Sequence, residues 1–199
     1  MMNYGTASPL PVARCGSIQR PCQEPMYERH DNEQYFFDGR TLEQLAEFVS
    51  SWTSPCCLCA PLLGQHLAEL GISVTILDID TRFAGTKGFR KYDLYRPEWL
   101  GTEFDLILCD PPFFNVSLSQ LFSAIRMLAR NDFQQQILIS YLERRSEAVV
   151  NVFSPFRLSP TGYFPRYQTV RDTDKNRIEM FGNLDATQVA RLGQLDRLT

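Results

Sequence analysis

The chain has 199 residues, enough for one domain with a sizeable core and an extension. Hydrophobic residues make up 44% and charged residues 22%, which excludes a fibrous or fully disordered chain and fits a globular one. The formal net charge of −3 excludes a global attraction to nucleic acid and leaves only local basic patches, around Arg157, Arg166, Arg171, Lys175 and Arg177.

Residues 1–32 mix Pro, Gly, Ser, Arg and Gln without periodicity and read as a flexible N-terminal arm. Residues 33–184 read as the folded domain, and 185–199 as a polar tail that can form a helix. Apolar residues at helical spacing predict a helix over Thr41–Ser51, capped by Thr41 or Asp38. Strands and helices then alternate. Cys56–Ala60 reads as a strand, Leu62–Leu70 as a helix stopped by Gly71, and Ile72–Leu77 as a β-branched strand. Thr81–Gly88 reads as a loop and Phe89–Leu94 as a short edge strand. Phe104–Cys109 is a strand, Leu118–Arg130 a helix, Gln136–Tyr141 a strand and Glu143–Val150 a helix. Val152–Leu158, Tyr163–Val170 and Arg177–Phe181 read as late, antiparallel strands. This alternation predicts an α/β fold: a mostly parallel sheet with helices on both faces.

No apolar run approaches about 18 residues, so no transmembrane helix and no membrane partner are expected. No basic segment followed by an apolar core opens the chain, so no signal peptide is expected. The six cysteines, Cys15, Cys22, Cys56, Cys57, Cys59 and Cys109, read as reduced, mostly buried thiols of a cytoplasmic protein. Cys56, Cys57 and Cys59 lack a second ligand pair, and His30 and His66 cannot complete a site, so no metal is expected.

Ligands of such sheets bind beyond the carboxyl ends of the strands. Three segments fall there. The first is the turn Cys59-Ala60-Pro61-Leu62-Leu63-Gly64, which is not G-x-G-x-x-G and suits a ligand without a pyrophosphate, such as S-adenosyl-L-methionine (AdoMet). Cys59, Ala60, Pro61 and Gly64 are its cofactor candidates, Ala60 and Gly64 because they are small. The second is Asp78-Ile79-Asp80, where either acid can accept hydrogen bonds from ribose hydroxyls; Tyr92-Asp93 is a weaker candidate for the adenine of the cofactor. The third is Asp110-Pro111-Pro112-Phe113, the catalytic candidate. A carboxylate and a carbonyl in a proline-stiffened turn can each accept one N–H of a planar amine, and Phe113 offers a ring face. Phe36, Phe37 and Phe156 are further candidates to cover a substrate ring, with core packing as the alternative.

Taken in order, Gln34–Thr41, Cys57–Gly64, Leu77–Phe83 and Asp110–Phe113 resemble the probable N6-adenine methyltransferases. That group contains the zinc-knuckle large-subunit rRNA adenine methyltransferase and the elongation-factor 1A lysine methyltransferase. The resemblance covers about residues 33–183. It implies the class I AdoMet-dependent methyltransferase fold, a Rossmann-like sheet, and AdoMet as cofactor. It places Asp110, Pro111 and Phe113 on the catalytic motif and Asp78 or Asp80 on the acidic cofactor motif. The zinc modules of the rRNA enzyme are missing, and Phe113 matches that enzyme where the lysine enzyme has Tyr. The expected reaction is methyl transfer to adenine N6 in RNA or DNA. Protein lysine methylation and a non-catalytic scaffold are the rival expectations.

Overall fold

The structure, a computed structural model, describes residues 26–197. Seven strands form one sheet: β1 (Pro55–Leu58), β2 (Thr75–Asp78), β3 (Phe89–Lys91), β4 (Leu106–Cys109), β5 (Ile137–Leu142), β6 (Ser159–Pro160) and β7 (Ile178–Gly182). Their order is β3-β2-β1-β4-β5-β7-β6. β7 runs antiparallel to β5, and β6 antiparallel to β7; every other pair is parallel. This is the α/β architecture that the alternation predicts. The central strands are buried along their whole length, as a sheet covered on both faces requires.

Five helices accompany the sheet: α1 (Gly39–Val49), α2 (Pro61–Glu69), α3 (Leu118–Leu128), α4 (Ser146–Val152) and α5 (Ala186–Arg197). The crossover β1–α2–β2 steps one way along the sheet and β4–α3–β5 steps the other way. Right-handed crossovers in opposite directions put their helices on opposite faces. α1 packs with α2, and α3 with α4. The direction changes between β1 and β4, so the carboxyl ends of those two strands frame a crevice.

Local chemistry sets the element ends. Asp38 caps α1 by accepting the Thr41 N–H at 2.8 Å, while Thr41 itself is buried and accepts the Arg166 N–H at 2.9 Å. Gly71 follows α2 at φ +81°, the left-handed conformation that ends a helix. Within the C-terminal segment, α5 docks on α1. Leu192 and Leu195 are buried, Gln44 donates to the Leu195 carbonyl, and Arg191 donates to the Glu47 carbonyl at 2.7 Å. Residues 1–25 of the expected flexible arm lie outside the described residues. No helix among the described residues is long and apolar enough to cross a membrane.

Two expected strands are corrected. Val152–Leu158 is the end of α4 followed by a single 3₁₀ turn over Ser154–Phe156, closed by Arg157 at φ +58°. Tyr163–Val170 forms no strand. Pro165 removes one N–H from its middle, and its sheet-like contact shrinks to an isolated bridge between Phe37 and Tyr167.

Gly64 sits where α2 crosses β2. A Cβ there would lie 2.6 Å from Ile76 Cγ1, deep in the sheet face. Overpacking of this kind costs about 1–3 kcal/mol. Gly64→Ala is therefore expected to lower the melting temperature by several degrees, and Ile76→Ala to cost less in that background than in the wild type. A double-mutant cycle by thermal denaturation measures the coupling; an unchanged melting temperature for Gly64→Ala contradicts the packing account.

Candidate functional site

A cavity of about 440 Å³ opens at the carboxyl ends of β1, β2 and β4, where the strand order reverses. Asp110, Pro111, Pro112 and Phe113 form one wall. β4 ends at Cys109, and the Asp110 N–H bonds the Leu58 carbonyl at 3.1 Å, so the carboxylate leaves the sheet in a fixed direction. Its Oδ1 accepts the hydroxyls of Ser140 and Tyr167, each at 2.6 Å. Ser140 comes from β5, next to β4, and Tyr167 from the segment bridged to Phe37. Both donors fall on Oδ1, and no described residue bonds Oδ2. The Pro112 carbonyl accepts the Val116 N–H at 3.3 Å, whereas no hydrogen bond among the described residues uses the Pro111 carbonyl. The Phe113 ring packs edge-on against Tyr141, centroids 5.3 Å apart, and the Tyr141 hydroxyl donates to the Phe113 carbonyl at 3.2 Å.

Asp78 and Asp80 both line the cavity, but in different states. Asp80 is occupied. It accepts Arg82 Nε and Nη2 at 2.9 and 2.6 Å and Gln34 Nε2 at 3.0 Å, and it caps a 3₁₀ turn over Thr81–Phe83. Asp78 is the last residue of β2 and accepts the Asp80 N–H at 2.7 Å; no cation among the described residues pairs with it. Cys59 lines the cavity at φ +55°, an unusual conformation for a residue with a Cβ. Tyr92 and Asp93 also line it; Asp93 accepts the Tyr95 N–H at 2.9 Å.

Burial shapes the charges. Desolvation pushes the Asp110 carboxyl up to about 7; Ser140 and Tyr167 hold it down and the Asp78 charge pushes it further up. Desolvation also pushes Asp78 up to about 6, with the Asp80 N–H opposing and the Asp80 charge adding. Burial works against the Asp80 charge too, but Arg82 and Gln34 outweigh it and hold that carboxyl below its ordinary range.

A further wall comes from residues 29–35, of which only Gln34 and Tyr35 fall in a segment that the sequence marks, while 29–32 belong to the expected flexible arm. Three acids pin it. Glu28 accepts the Phe36 N–H at 2.8 Å. Glu33 accepts the Phe114 and Asn115 N–H groups at 3.1 and 2.6 Å. Arg82 reaches the Gln34 side chain at 2.6 Å and the Tyr27 carbonyl at 2.9 Å.

Several predicted site residues stand elsewhere. Phe36 and Phe37 are buried, packed against Phe83 and Tyr167, and do not line the cavity. Phe156 is fully buried among Phe122, Phe133 and Phe153. Ala60, Pro61 and Gly64 do not line it either; Pro61 opens α2, and the open side of Gly64 faces Ile76, not a ligand. Ser140 and Tyr167 escaped the sequence reading. Ser140 is the lone hydroxyl in the run Ile137–Tyr141 without an aromatic ring, and a buried polar residue there is informative. For Tyr167 the sequence carries no comparable signal.

A family model described as probable N6-adenine methyltransferase matches residues 28–185. The chain belongs to this family. It is an AdoMet-dependent methyltransferase with the class I fold. The fold is shared with a solved structure. PH1948, an RNA methyltransferase candidate from Pyrococcus horikoshii, shares 14% identity at a TM-score of 0.52, covering 80% of this chain and 89% of that one. The magnesium protoporphyrin IX methyltransferase of Synechocystis PCC 6803, solved with bound SAM, shares 14% identity at a TM-score of 0.49, covering 73% and 79%. No protein of curated function matches the chain in sequence.

The raised Asp110 carboxyl sets a stability prediction. Unfolded, this proton leaves near the ordinary 3.8; folded, it leaves near 7. Between those values the folded family member binds more protons, so ionisation of Asp110 removes stability as pH rises. Asp110→Asn cannot ionise. Its melting temperature relative to the wild type is expected to rise from pH 5 to pH 8; a difference that stays constant with pH contradicts the assignment.

Proposed function

We propose that the enzyme methylates the N6 amino group of adenine in RNA or DNA. One observation carries this reading: a carboxylate oxygen and the Pro111 carbonyl, both without hydrogen-bond partners among the described residues, stand at adjacent residues beside the Phe113 ring. A planar –NH₂ has two N–H groups to give. Asp110 Oδ2 would take one and the Pro111 carbonyl the other. Pro111 and Pro112 stiffen the turn, so the acceptors need no rearrangement. Phe113 would stack the base. With both N–H groups held, the nitrogen is drawn from ring conjugation towards tetrahedral geometry and its lone pair is aimed across the cavity. The family name points to the same acceptor.

The cavity fits the cofactor. Asp78, nearly dry and without a cation, would accept the ribose hydroxyls, a role that the Arg82-bound Asp80 does not share. Tyr92, Asp93 and Cys59 would line the remainder of the nucleoside. Bound AdoMet supplies the electrophilic methyl group. Asp110 then stands where the methylated amine sheds its extra proton, and its raised pKa suits it to receive one.

A second reading has its own support. Glu33 and Asp93 line the same cavity and the chain is acidic, which suits a cationic lysine. That amine must lose a proton before transfer.

Transfer of tritium from AdoMet to RNA, DNA and protein, followed by nuclease or protease digestion, separates the two. Label recovered as N6-methyladenosine or its deoxy form is expected; label found only in methyl-lysine overturns the adenine reading. Asp110→Ala should lower the rate about 100-fold or more while leaving AdoMet affinity nearly unchanged. The rate should rise with pH through about 7 as Asp110 ionises, and Tyr167→Phe should move that rise to higher pH by removing a donor to the carboxylate.

Asp78 predicts a separate pH effect. AdoMet affinity should weaken as pH falls below about 6, where Asp78 gains a proton and loses an acceptor. Asp78→Asn should weaken binding by about 1.5–3 kcal/mol and abolish that dependence. Calorimetry across pH checks both, and Asp80→Asn serves as the contrast.

A further inference from the structure

Two features beside the cavity are absent from the mechanism above. Phe114, directly after the motif, is 70% exposed. It does not hang on a loose loop. Glu33 accepts its N–H and that of Asn115, and the exposed Tyr95 donates its hydroxyl to the Asn115 carbonyl. A large ring is thus held in water by a backbone braced from two sides. The second feature is Arg145. It is exposed and pairs with no acid among the described residues. Its guanidinium lies 5.7 Å from the Tyr141 ring centre and 3.4 Å from the Tyr141 hydroxyl, which itself bonds the Phe113 carbonyl. A contiguous path therefore runs from a free cation through Tyr141 to Phe113 and on to Phe114.

We propose that Phe114 and Arg145 form an acceptor-strand subsite for single-stranded nucleic acid: Phe114 stacks the base next to the target adenine, and Arg145 takes a backbone phosphate. The proposal rests on the adenine reading of the motif. An exposed ring on a braced backbone suits a sequence-tolerant base platform, since every base presents a face. An unpaired guanidinium steadied against a ring is suited to a phosphate oxygen. Glu33 is engaged with the Phe114 and Asn115 N–H groups, so the phosphate is assigned to the cation, Arg145. Single strands are favoured because an unpaired strand reaches the cavity without the cost of flipping a base out of a duplex.

The test uses the full chain with AdoMet and a short single-stranded oligonucleotide, as RNA and as DNA, carrying 2-aminopurine beside the target adenine. Binding should quench the fluorophore. Phe114→Ala should abolish the quench and raise KM about 5-fold or more, and Phe114→Trp should retain both. Arg145→Ala should raise KM with little change in kcat and reduce the slope of log affinity against log salt by about 0.7, and Arg145→Lys should restore the slope. AdoMet affinity should not move in any variant. If the wild type methylates adenine while Phe114→Ala keeps quench and KM and Arg145→Ala keeps the salt slope, the subsite is overturned and the adenine reading stands. If the wild type transfers label only to protein lysine, the adenine reading falls, and this inference falls with it.

Discussion

The Oδ1 atom of Asp110 is a junction on which the site depends. Two hydroxyls converge on one buried carboxylate oxygen, from β5 through Ser140 and from the chain after β6 through Tyr167. Tyr167 in turn packs against Phe37 and bridges its backbone. One oxygen therefore ties the central strands to a late loop and, through Phe37, to the segment entering α1. A carboxylate buried with a single donor would leave much of its desolvation uncompensated. Two donors make its burial tolerable, and placing both on one oxygen leaves the other for a ligand. The proline pair then fixes where that other acceptor points.

A second acid plays the opposite part. Asp80 has its hydrogen-bonding capacity filled by Arg82 and Gln34, and Arg82 extends to the Tyr27 carbonyl. It is a clasp, holding residues 27–34 over the cavity mouth. Glu33 continues the clasp to the loop after the motif. The wall made by residues 29–35 is thereby fastened at both the β2 end and the β4 end of the crevice. Asp80 and Phe114 are thereby connected through Gln34, Arg82 and Glu33.

Much of the fold was legible because parallel strands buried on both faces read as short apolar runs separated by helical periodicity. β1, β2, β4 and β5 and the helices α1 to α4 follow that pattern, whereas β7 is antiparallel and α5 lies in the polar tail. The late region was less legible because its signals conflict. Phe153 and Phe156 look like strand residues, but they serve an aromatic cluster beside α4, and Pro165 breaks an otherwise β-rich stretch. That Asp110, Phe113 and Asp78 line one cavity was legible because all three follow or end strands in the sequence. The different partners of Asp78 and Asp80 were not, because alternation holds only inside a strand; β2 stops at Asp78 and a 3₁₀ turn re-aims Asp80 at Arg82. Phe36, Phe37 and Phe156 misled because an aromatic near a rim has the same letter whether it faces the cavity or the core. Tyr167 lies 57 residues from Asp110, and long-range pairing of that kind leaves no local trace.

The two raised acids bear on each other. Asp78 and Asp110 line one cavity, each resists ionisation through burial, and the Asp78 charge adds to the resistance of Asp110. Two neighbouring carboxylates in a dry site favour any ligand that brings positive charge. AdoMet carries one such charge on its sulfonium, and the charge is lost from the cofactor when the methyl group leaves. The desolvation that raises both carboxyls also makes their charged forms costly in the folded state, so the two acids tie the stability of the fold to pH at the cavity itself.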